Sequence, residues 1–360
     1  VGMVPKYLNN VVSEFLGINS ITTTGDMGVF LSDKDEYIRY LDVFLNTSLG
    51  QTILELSKYG TTNQHIDMQI FVKQHVPLIS VDRIASLIKN AIEEYEAKAW
   101  RAYFKAMKIV EEYLGADVEQ LSGTSSYKEI NMYGRLDSKF YVYLNALRRL
   151  SEAQILRANE LFDVKLGTAP RSREYKSIKR GEPYVSYDAI DDSGFVDEES
   201  FYKLLNPPRT TARARKFSIL ITSVAHSIEG IGKVGILYPY DNMLCMTGLA
   251  ILNPSYNKLR NIAQKISYLK KGSVEALMLY TFAVLKSSLM RKVMQSLTYG
   301  LTAQISKKDI ENLPISLIKD LLNSDVINSV KEFVENMYQA NVLKRQAIME
   351  LENYILRLLD

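Results

Sequence analysis

Between Arg83 and Leu114, apolar or small residues recur at Ile84, Ile88, Ala91, Tyr95, Ala99, Ala102, Ala106, Ile109 and Tyr113. The steps are three or four throughout, which is the helical period. Charged residues such as Lys89, Glu93, Glu94, Lys105 and Glu111 fill much of the remainder. The spacing predicts one amphipathic helix about 48 Å long. Ser80 or Asp82 stands where an N-cap belongs, and Gly115 where a left-handed C-terminal cap belongs. The pattern returns from Asp325 to Leu359, with Val326, Val330, Phe333, Met337, Ala340, Leu343, Ala347, Leu351, Ile355 and Leu358 on one face. That helix is about 52 Å long, capped by Ser324 or Asp325. Two helices of nearly equal length with narrow apolar stripes predict an antiparallel, coiled-coil-like pair rather than separate packing on neighbouring domains.

The chain between and before these helices is mixed. ITTTG and GVFLS near residues 21–32 suggest strand, and Glu36 to Leu56 suggests helix with Ile38, Leu41, Phe44 and Leu45 on one face. Residues 116–130 are polar and contain Gly and Ser, the composition of a linker. Helical pattern follows at Lys139–Leu150 and Glu275–Leu297. Strand-like pattern appears around Pro183–Ala189, Phe217–Ser223, Val234–Tyr238 and Leu249–Leu252. The fold class this predicts is α+β.

The chain also resembles itself. SLGQTILELSKYGTTNQHIDMQIFVKQHVPLI begins at Ser48, and SLMRKVMQSLTYGLTAQISKKDIENLPISLI begins at Ser288. Ser48-Leu49 matches Ser288-Leu289, Tyr59-Gly60 matches Tyr299-Gly300, Thr62 matches Thr302, Gln64 matches Gln304, and Pro77 matches Pro314. Upstream, Thr24-Gly25 echoes Thr247-Gly248. The offset, about 220 to 240 residues, is too long for a solenoid and describes two domain-plus-helix units. Residues 1–80 then read as the C-terminal part of a first domain whose front half is absent, 81–116 as the first long helix, 117–320 as a second, complete domain, and 324–360 as the second long helix.

Composition adds exclusions. Of 360 residues, 47% are hydrophobic and 24% charged, enough for large cores. No apolar run of about 18 residues indicates a membrane span, and no signal peptide is visible. One cysteine, Cys245, and three scattered histidines offer neither a disulfide framework nor metal-ligand spacing. A reducing, cytoplasmic setting is expected. Net charge is only +3, but basic residues cluster: Arg171 to Arg180, Arg209 to Lys216, and Lys258 to Lys271. Three such runs inside one segment point to a face that tracks phosphates.

Four stretches in the second unit, in this order, resemble one family. LFDVKLGTAPRSREY (161–175) looks like an opening strand with a GGTPS-like loop, and GEPYVSYDAID (181–191) like a PWVSIKDL strand. SILITSVAHSIEGIGKVGIL (218–237) looks like a VLISSRATIGKVAI element. TYGLTAQISKKDIENLPI (298–315) is similar to the GSTQKHISKKDLKNIPIPLP lead into a helix. The family is the DNA-specificity subunit of Type I restriction–modification systems. The resemblance departs at Lys216-Phe217-Ser218, where the family has Gly-Asp, and at the PLISVDR and PISLIKD leads into the helices. It implies mixed α/β target-recognition domains joined by two long antiparallel helices that form a coiled-coil-like spacer. It implies a non-catalytic chain that reads a bipartite target in double-stranded DNA. Its partners would be two adenine methyltransferase subunits and a restriction/motor subunit. S-adenosylmethionine, ATP and Mg would belong to those subunits and no cofactor to this chain. Readings from other classes are the specificity portion of a fused restriction–methyltransferase enzyme, and a helical scaffold that does not bind DNA.

Arginine pairs best with guanine edges, and Asn or Gln with adenine, while smaller polar and cationic groups hold phosphates. The candidate DNA contacts of the second domain are Thr168, Arg171, Ser172, Arg173, Lys176, Arg209, Arg213, Arg215, Ser223, His226, Lys233, Tyr299, Thr302 and Gln304. The first domain offers Lys58, Tyr59, Thr61, Thr62, Asn63 and Gln64. Reaction chemistry is weak by contrast. Gly230, Gly232 and Gly235 spell G-x-G-x-x-G, but ILYPYDN follows and opens no helix, so a dinucleotide loop is disfavoured. Asn206-Pro207-Pro208 is followed by Arg209, not the aromatic residue of a methyltransferase motif. Ser223 and His226 lack a G-x-S-x-G elbow.

Overall fold

A computed structural model describes residues 34–59, 65–114, 138–149, 154–168, 181–197, 202–204, 212–265, 274–299 and 303–359. Along the chain run α1 (Asp35–Leu45), α2 (Ser48–Leu56), the antiparallel pair β1 (Lys58–Tyr59) and β2 (His65–Ile66), and α3 (Met68–Phe71). Then come α4 (Val81–Asn90), a π-helical turn (Ala91–Glu96) and α5 (Ala97–Leu114). After α6 (Ser138–Arg149) the chain becomes strand-rich: β3 (Gln154–Arg157), α7 (Ala158–Leu161), β4 (Phe162–Leu166), β5 (Glu182–Val185), β6 (Tyr202–Leu204), β7 (Arg213–Ala214), β8 (Ile219–Thr222), β9 (Val224–Ala225), β10 (Val234–Ile236), β11 (Met243–Cys245) and β12 (Leu249–Pro254). It closes with α8 (Tyr256–Lys265), α9 (Val274–Lys286), α10 (Ser288–Ser296), β13 (Ala303–Gln304), α11 (Lys307–Glu311), β14 (Pro314–Leu317), α12 (Lys319–Leu322) and α13 (Val326–Leu359). Two compact units result, Val1–Ala102 with Glu332–Asp360, and Tyr103–Lys331. The division falls inside both long helices.

In the first unit, Ile84, Ile88 and Ile92 pack with Ala347, Leu351 and Ile355 of α13, and Tyr40, Val43 and Phe44 of α1 close the cluster. Arg83 pairs with Glu350 at 2.7 Å and Glu96 with Lys344 at 2.7 Å, so α13 runs opposite to α4 and the π turn. Each buried Ile or Leu contributes about 1.5–3 kcal/mol. A surface ion pair such as Arg83–Glu350 contributes about 0–1 kcal/mol, so it marks direction, as does the partly buried Glu96–Lys344 pair, while the apolar seam supplies the stability. Ala97, Ala99 and Ala102 are buried on one helix and Ala340 and Ala347 on the other, as close helix approach requires.

The first long helix is not one uninterrupted α-helix, as its period suggested. Its segments of 10, 6 and 18 residues run end to end, together as long as the 34 residues of α13. The buried line passes through Ile84, Ile88, Ile92, Ala102, Ala106, Val110 and Leu114, with steps of four at both ends. An α-helix at about 3.6 residues per turn drifts off such a line. The π turn absorbs the excess and keeps the seam in place. The apolar stripe therefore ends on Val110 and Leu114, and Tyr113, expected on it, is exposed. Ser80 occupies the N-cap position with left-handed backbone (φ 48°) and no capping bond from its side chain. At α13, the Ser324 hydroxyl accepts from the Val326 N–H at 3.3 Å.

The second unit holds two four-stranded sheets. One, in the order β10-β8-β12-β4, is antiparallel throughout. The other, β6-β5-β11-β7, is mixed because β11 runs parallel to β5. Val185, Ile190, Val196, Leu220, Leu237, Cys245 and Ile251 belong to one core cluster. β12 is buried at every residue and α9 from Leu277 to Leu285, which is why both read as apolar runs instead of alternating patterns. Strand-like Pro183–Ala189 resolves into β5 and a 3-10 turn at Tyr187–Ala189. The expected strands at ITTTG and GVFLS, the Thr24-Gly25 echo, Gly115 and the 116–130 linker lie outside the described residues.

The internal repeat is visible atom by atom. Thr47 caps α2 by accepting from the Gly50 N–H at 3.1 Å, and Ser287 caps α10 by accepting from the Met290 N–H at 3.2 Å. Both caps break what the sequence pattern presents as one helix, Glu36–Leu56 and Glu275–Leu297. Beside each cap, a serine donates through N–H and hydroxyl to a strut glutamate: Ser48 to Glu352 in the first unit, Ser288 to Glu111 in the second. The Tyr40 hydroxyl donates to the Pro77 carbonyl and accepts from the Ile79 N–H, while the Tyr280 hydroxyl donates to the Ser316 carbonyl and accepts from the Ile318 N–H. These bonds equate Pro77 with Ser316, not with Pro314. Tyr59 pairs with His65 and Tyr299 with Gln304, so Gln304 corresponds to His65, not to Gln64. The second loop is one residue shorter.

Candidate nucleic-acid interface

In the second unit, four stretches that the sequence separates meet around one cleft of about 520 Å³. Its lining includes Tyr187, Asp188 and Ile190 after β5, Thr222 at the end of β8, Val224 to Ser227 with Gly230 and Lys233, and the Thr247-Gly248 turn. Backbone bonds fix this meeting. The Ser223 N–H donates to the Gly248 carbonyl at 2.8 Å, and the Ser223 carbonyl accepts from the Ile305 N–H at 2.8 Å. The β9–β13 pair sets Ala225 against Ala303 and Val224 against Gln304. The Tyr299–Gln304 loop is thereby stitched to the Ser223–Lys233 loop.

Two glycines make the close approaches possible. A Cβ on Gly167 would stand 1.7 Å from the Met246 carbonyl oxygen, so only glycine lets this strand end lie against the turn before Thr247. Gly232 adopts φ +74° where the loop returns to β10, a conformation glycine takes without cost. Gly235, the last glycine of G-x-G-x-x-G, lies in β10, so the motif runs into a strand where a dinucleotide fold needs it to open a helix.

The candidate contacts distribute unevenly. His226 is exposed and Lys233 half-buried, with Nζ 3.2 Å from Asp192. Ser223 is buried and joins three strands through its backbone. Tyr299 is exposed and Gln304 half-buried; their backbones exchange N–H···O bonds of 3.0 and 3.2 Å that close the loop between them. Thr168 donates its N–H to the Cys245 carbonyl at 3.1 Å. Arg213 lies in the other sheet, bonded to Glu182 at 2.8 Å and to the Asn242 carbonyl at 3.0 Å. Arg215 is exposed, and its N–H is held by Ser218 and Asn253. In the first unit Lys58 is exposed and paired with Glu55, and Tyr59 is exposed. Arg171, Ser172, Arg173, Lys176, Arg209, Thr302, Thr61, Thr62, Asn63, Gln64 and the Asn206-Pro207-Pro208 stretch lie outside the described residues.

Sequence reasoning passed over Tyr187, Asp188, Thr222, Thr247 and Gly248 as site residues. The available signal was the Thr-Gly echo between the two halves, read there only as a sign of duplication. Behind the cleft wall, the Asp191 carboxylate accepts from the Ser193 hydroxyl and from the Phe195 N–H at 2.9 Å. Burial nonetheless raises its pKa above the usual carboxylate value. Burial also pulls the nearby Lys286 ammonium down to about 8, and its Nζ donates to the Asp192 carbonyl at 2.7 Å. Among the described residues no group of three His, Cys, Asp or Glu side chains is placed to hold a metal, and no helix is long and apolar enough to cross a membrane.

No family model matches the chain, and no curated protein matches it. Solved structures similar to it include the S subunit of a Type-I restriction–modification system from M. genitalium, at 16% identity and TM-score 0.33, covering 89% of this chain and 71% of that one. The HsdS subunit from Thermoanaerobacter tengcongensis gives 17% identity and TM-score 0.34, covering 88% and 67%. A structure described for the complex assembly and conformational transition of the type I R-M system gives 17% and 0.35, covering 89% and 68%. Over most of its length, then, the chain is similar to S subunits of Type I restriction–modification systems.

Proposed function

We propose that this chain is a non-catalytic DNA-specificity subunit of a Type I restriction–modification complex. The observation that supports the reading most is the duplication: cap, loop and tyrosine latch occur twice, each leading into a long helix. A reader of two half-sites needs that arrangement. The four motif-like stretches support it further, since three of them, at 181–191, 218–237 and 298–315, contribute to one cleft or to the strands stitched to it. Recognition loops supply base-edge and phosphate contacts. Helices of 34 residues, about 50 Å, correspond to a spacing of about 15 base pairs at about 3.4 Å each.

On this reading the partners are double-stranded DNA, two adenine methyltransferase subunits and a restriction/motor subunit, in the cytoplasm. S-adenosylmethionine, ATP and Mg are bound by those subunits. The experiment is to map methylated adenines in the source genome with and without this gene. Loss of methylation at one bipartite motif on deletion is the expected result. An unchanged methylation map in a strain that expresses the chain would reject the reading.

A further inference from the structure

The two tyrosine latches hold equivalent stretches of chain, but only one stretch has a strand beside it. In the second unit β14 is buried at all four residues and pairs antiparallel with β3, Ile315 opposite Leu156 and Leu317 opposite Gln154. The Ala158 N–H donates to the Leu313 carbonyl at 2.9 Å. Bonded pairs alternate along an antiparallel ladder, so the backbone groups of Ile315 and Leu317 face β3 while Ser316 turns its carbonyl to Tyr280. In the first unit the same stretch is His75–Leu78, with Val76, Pro77 and Leu78 at the places of Ile315, Ser316 and Leu317. Among the described residues it pairs with no strand, and the N–H and carbonyl of Val76 and Leu78 make no backbone hydrogen bond. The proline forfeits no ladder bond, because it stands where the N–H points away from the neighbouring strand. Leu78 is 62% exposed, whereas Leu317 is fully buried.

Val76 also lines a cavity of about 220 Å³, with Leu41, Phe44, Leu45, Phe71 and the exposed Val72 among its walls. That is below the size of most small-molecule sites, about 300–1,000 Å³, and suits one or two apolar side chains. In the second unit α7 and β4, which follow β3, pack on α11, the counterpart of α3. A row of free N–H and carbonyl groups beside an apolar hollow is the arrangement that captures an added strand. We propose that the first unit binds, along His75–Leu78, an antiparallel strand of the β3–β4 type supplied by a separate polypeptide. Its chemistry follows from the second unit: two apolar residues like Ile155-Leu156 on the strand, then a short helical turn whose Leu-Phe end fills the cavity. This chain's own segment of that pattern, Gln154–Phe162, is already used against β14, so a second copy could donate it only by opening its own second unit. The edge is open whether or not the chain reads DNA, so this inference and the proposed function can fail separately.

The test titrates the full chain into a fluorescently labelled peptide of residues 151–166, the chain's own β3–α7–β4 sequence, and follows polarisation, with a scrambled peptide as control. Saturable binding of one peptide per chain is expected. Leu78→Asp changes an exposed side chain, so it should leave the unfolding midpoint in place and weaken the peptide by about 10-fold or more, the effect of one leucine not buried. A peptide carrying Leu156→Pro lacks an N–H of the ladder and should bind no better than the scrambled one. No binding to the full chain overturns the proposal, since the edge is then closed by the chain itself. Binding that Leu78→Asp leaves unchanged also overturns it, since the peptide is then seated at β14 in place of β3. A dimer of the chain in sedimentation that the peptide dissociates assigns the edge to a second copy and overturns the separate partner.

Discussion

Tyr40 and Tyr280 perform the same task 240 positions apart, each tying a helix to the stretch that leads into a strut. Their surroundings differ. Tyr280 is fully buried and its partners Ser316 and Ile318 are buried, while Pro77 and Ile79 are half-exposed. Removing the Tyr280 hydroxyl leaves a buried carbonyl and N–H unpaired, whereas water can reach the partners of Tyr40. Tyr280→Phe should therefore cost about 1–3 kcal/mol, and Tyr40→Phe clearly less, measured by urea unfolding at constant m-value. Equal costs would mean that the second latch is wetter than its burial indicates. Cys245 makes a second test at this scale. It is fully buried, and burial pushes its thiol up to about 12. The reactive species is the thiolate, so the native chain should resist alkylation at pH 8 and react at a rate that follows unfolding. Fast labelling without denaturant would contradict the packing of β11.

At the scale of elements, hydroxyl caps control where helices stop. Thr47 and Ser287 each end one helical run and start the next, although the apolar period continues across them. Periodicity could not reveal this, because the helices on both sides bury residues and the cap itself is a single polar position. Ser287→Ala should destabilise the chain by about 1 kcal/mol, read from the unfolding midpoint; no change would show that the Ser288–Glu111 bonds alone hold the break. The π turn was hidden for a related reason. Steps of three and four fit a straight helix on paper, and only the steps of four at both ends of the buried seam reveal the excess residue. What was plain in the sequence was the pair of long amphipathic helices, the duplication, and the strands around Ile219, Val234 and Leu249. The cleft was half legible: Ser223, His226 and Lys233 belong to its loop, but Tyr187, Asp188 and Thr222 reach it through sheet pairing between distant strands. The Gln64–Gln304 match misled because letter identity ignores the one-residue difference in loop length that the strand register exposes.

For the molecule as a whole, each unit carries one copy of the cap, loop and latch, and each copy is clamped to a long helix by a serine–glutamate contact. Under the proposed function, a duplicated reader of this kind accounts for two long helices of equal length. The central claim is that the chain specifies two separated blocks of DNA sequence. The most direct measurement is selection from a random duplex library by the full chain with its methyltransferase partner, at two salt concentrations because phosphate contacts make affinity fall with salt. The account predicts enrichment of two short blocks separated by an unread spacer of fixed length. Recovery of unenriched sequence from a complex that binds DNA, or of one continuous block, would contradict it.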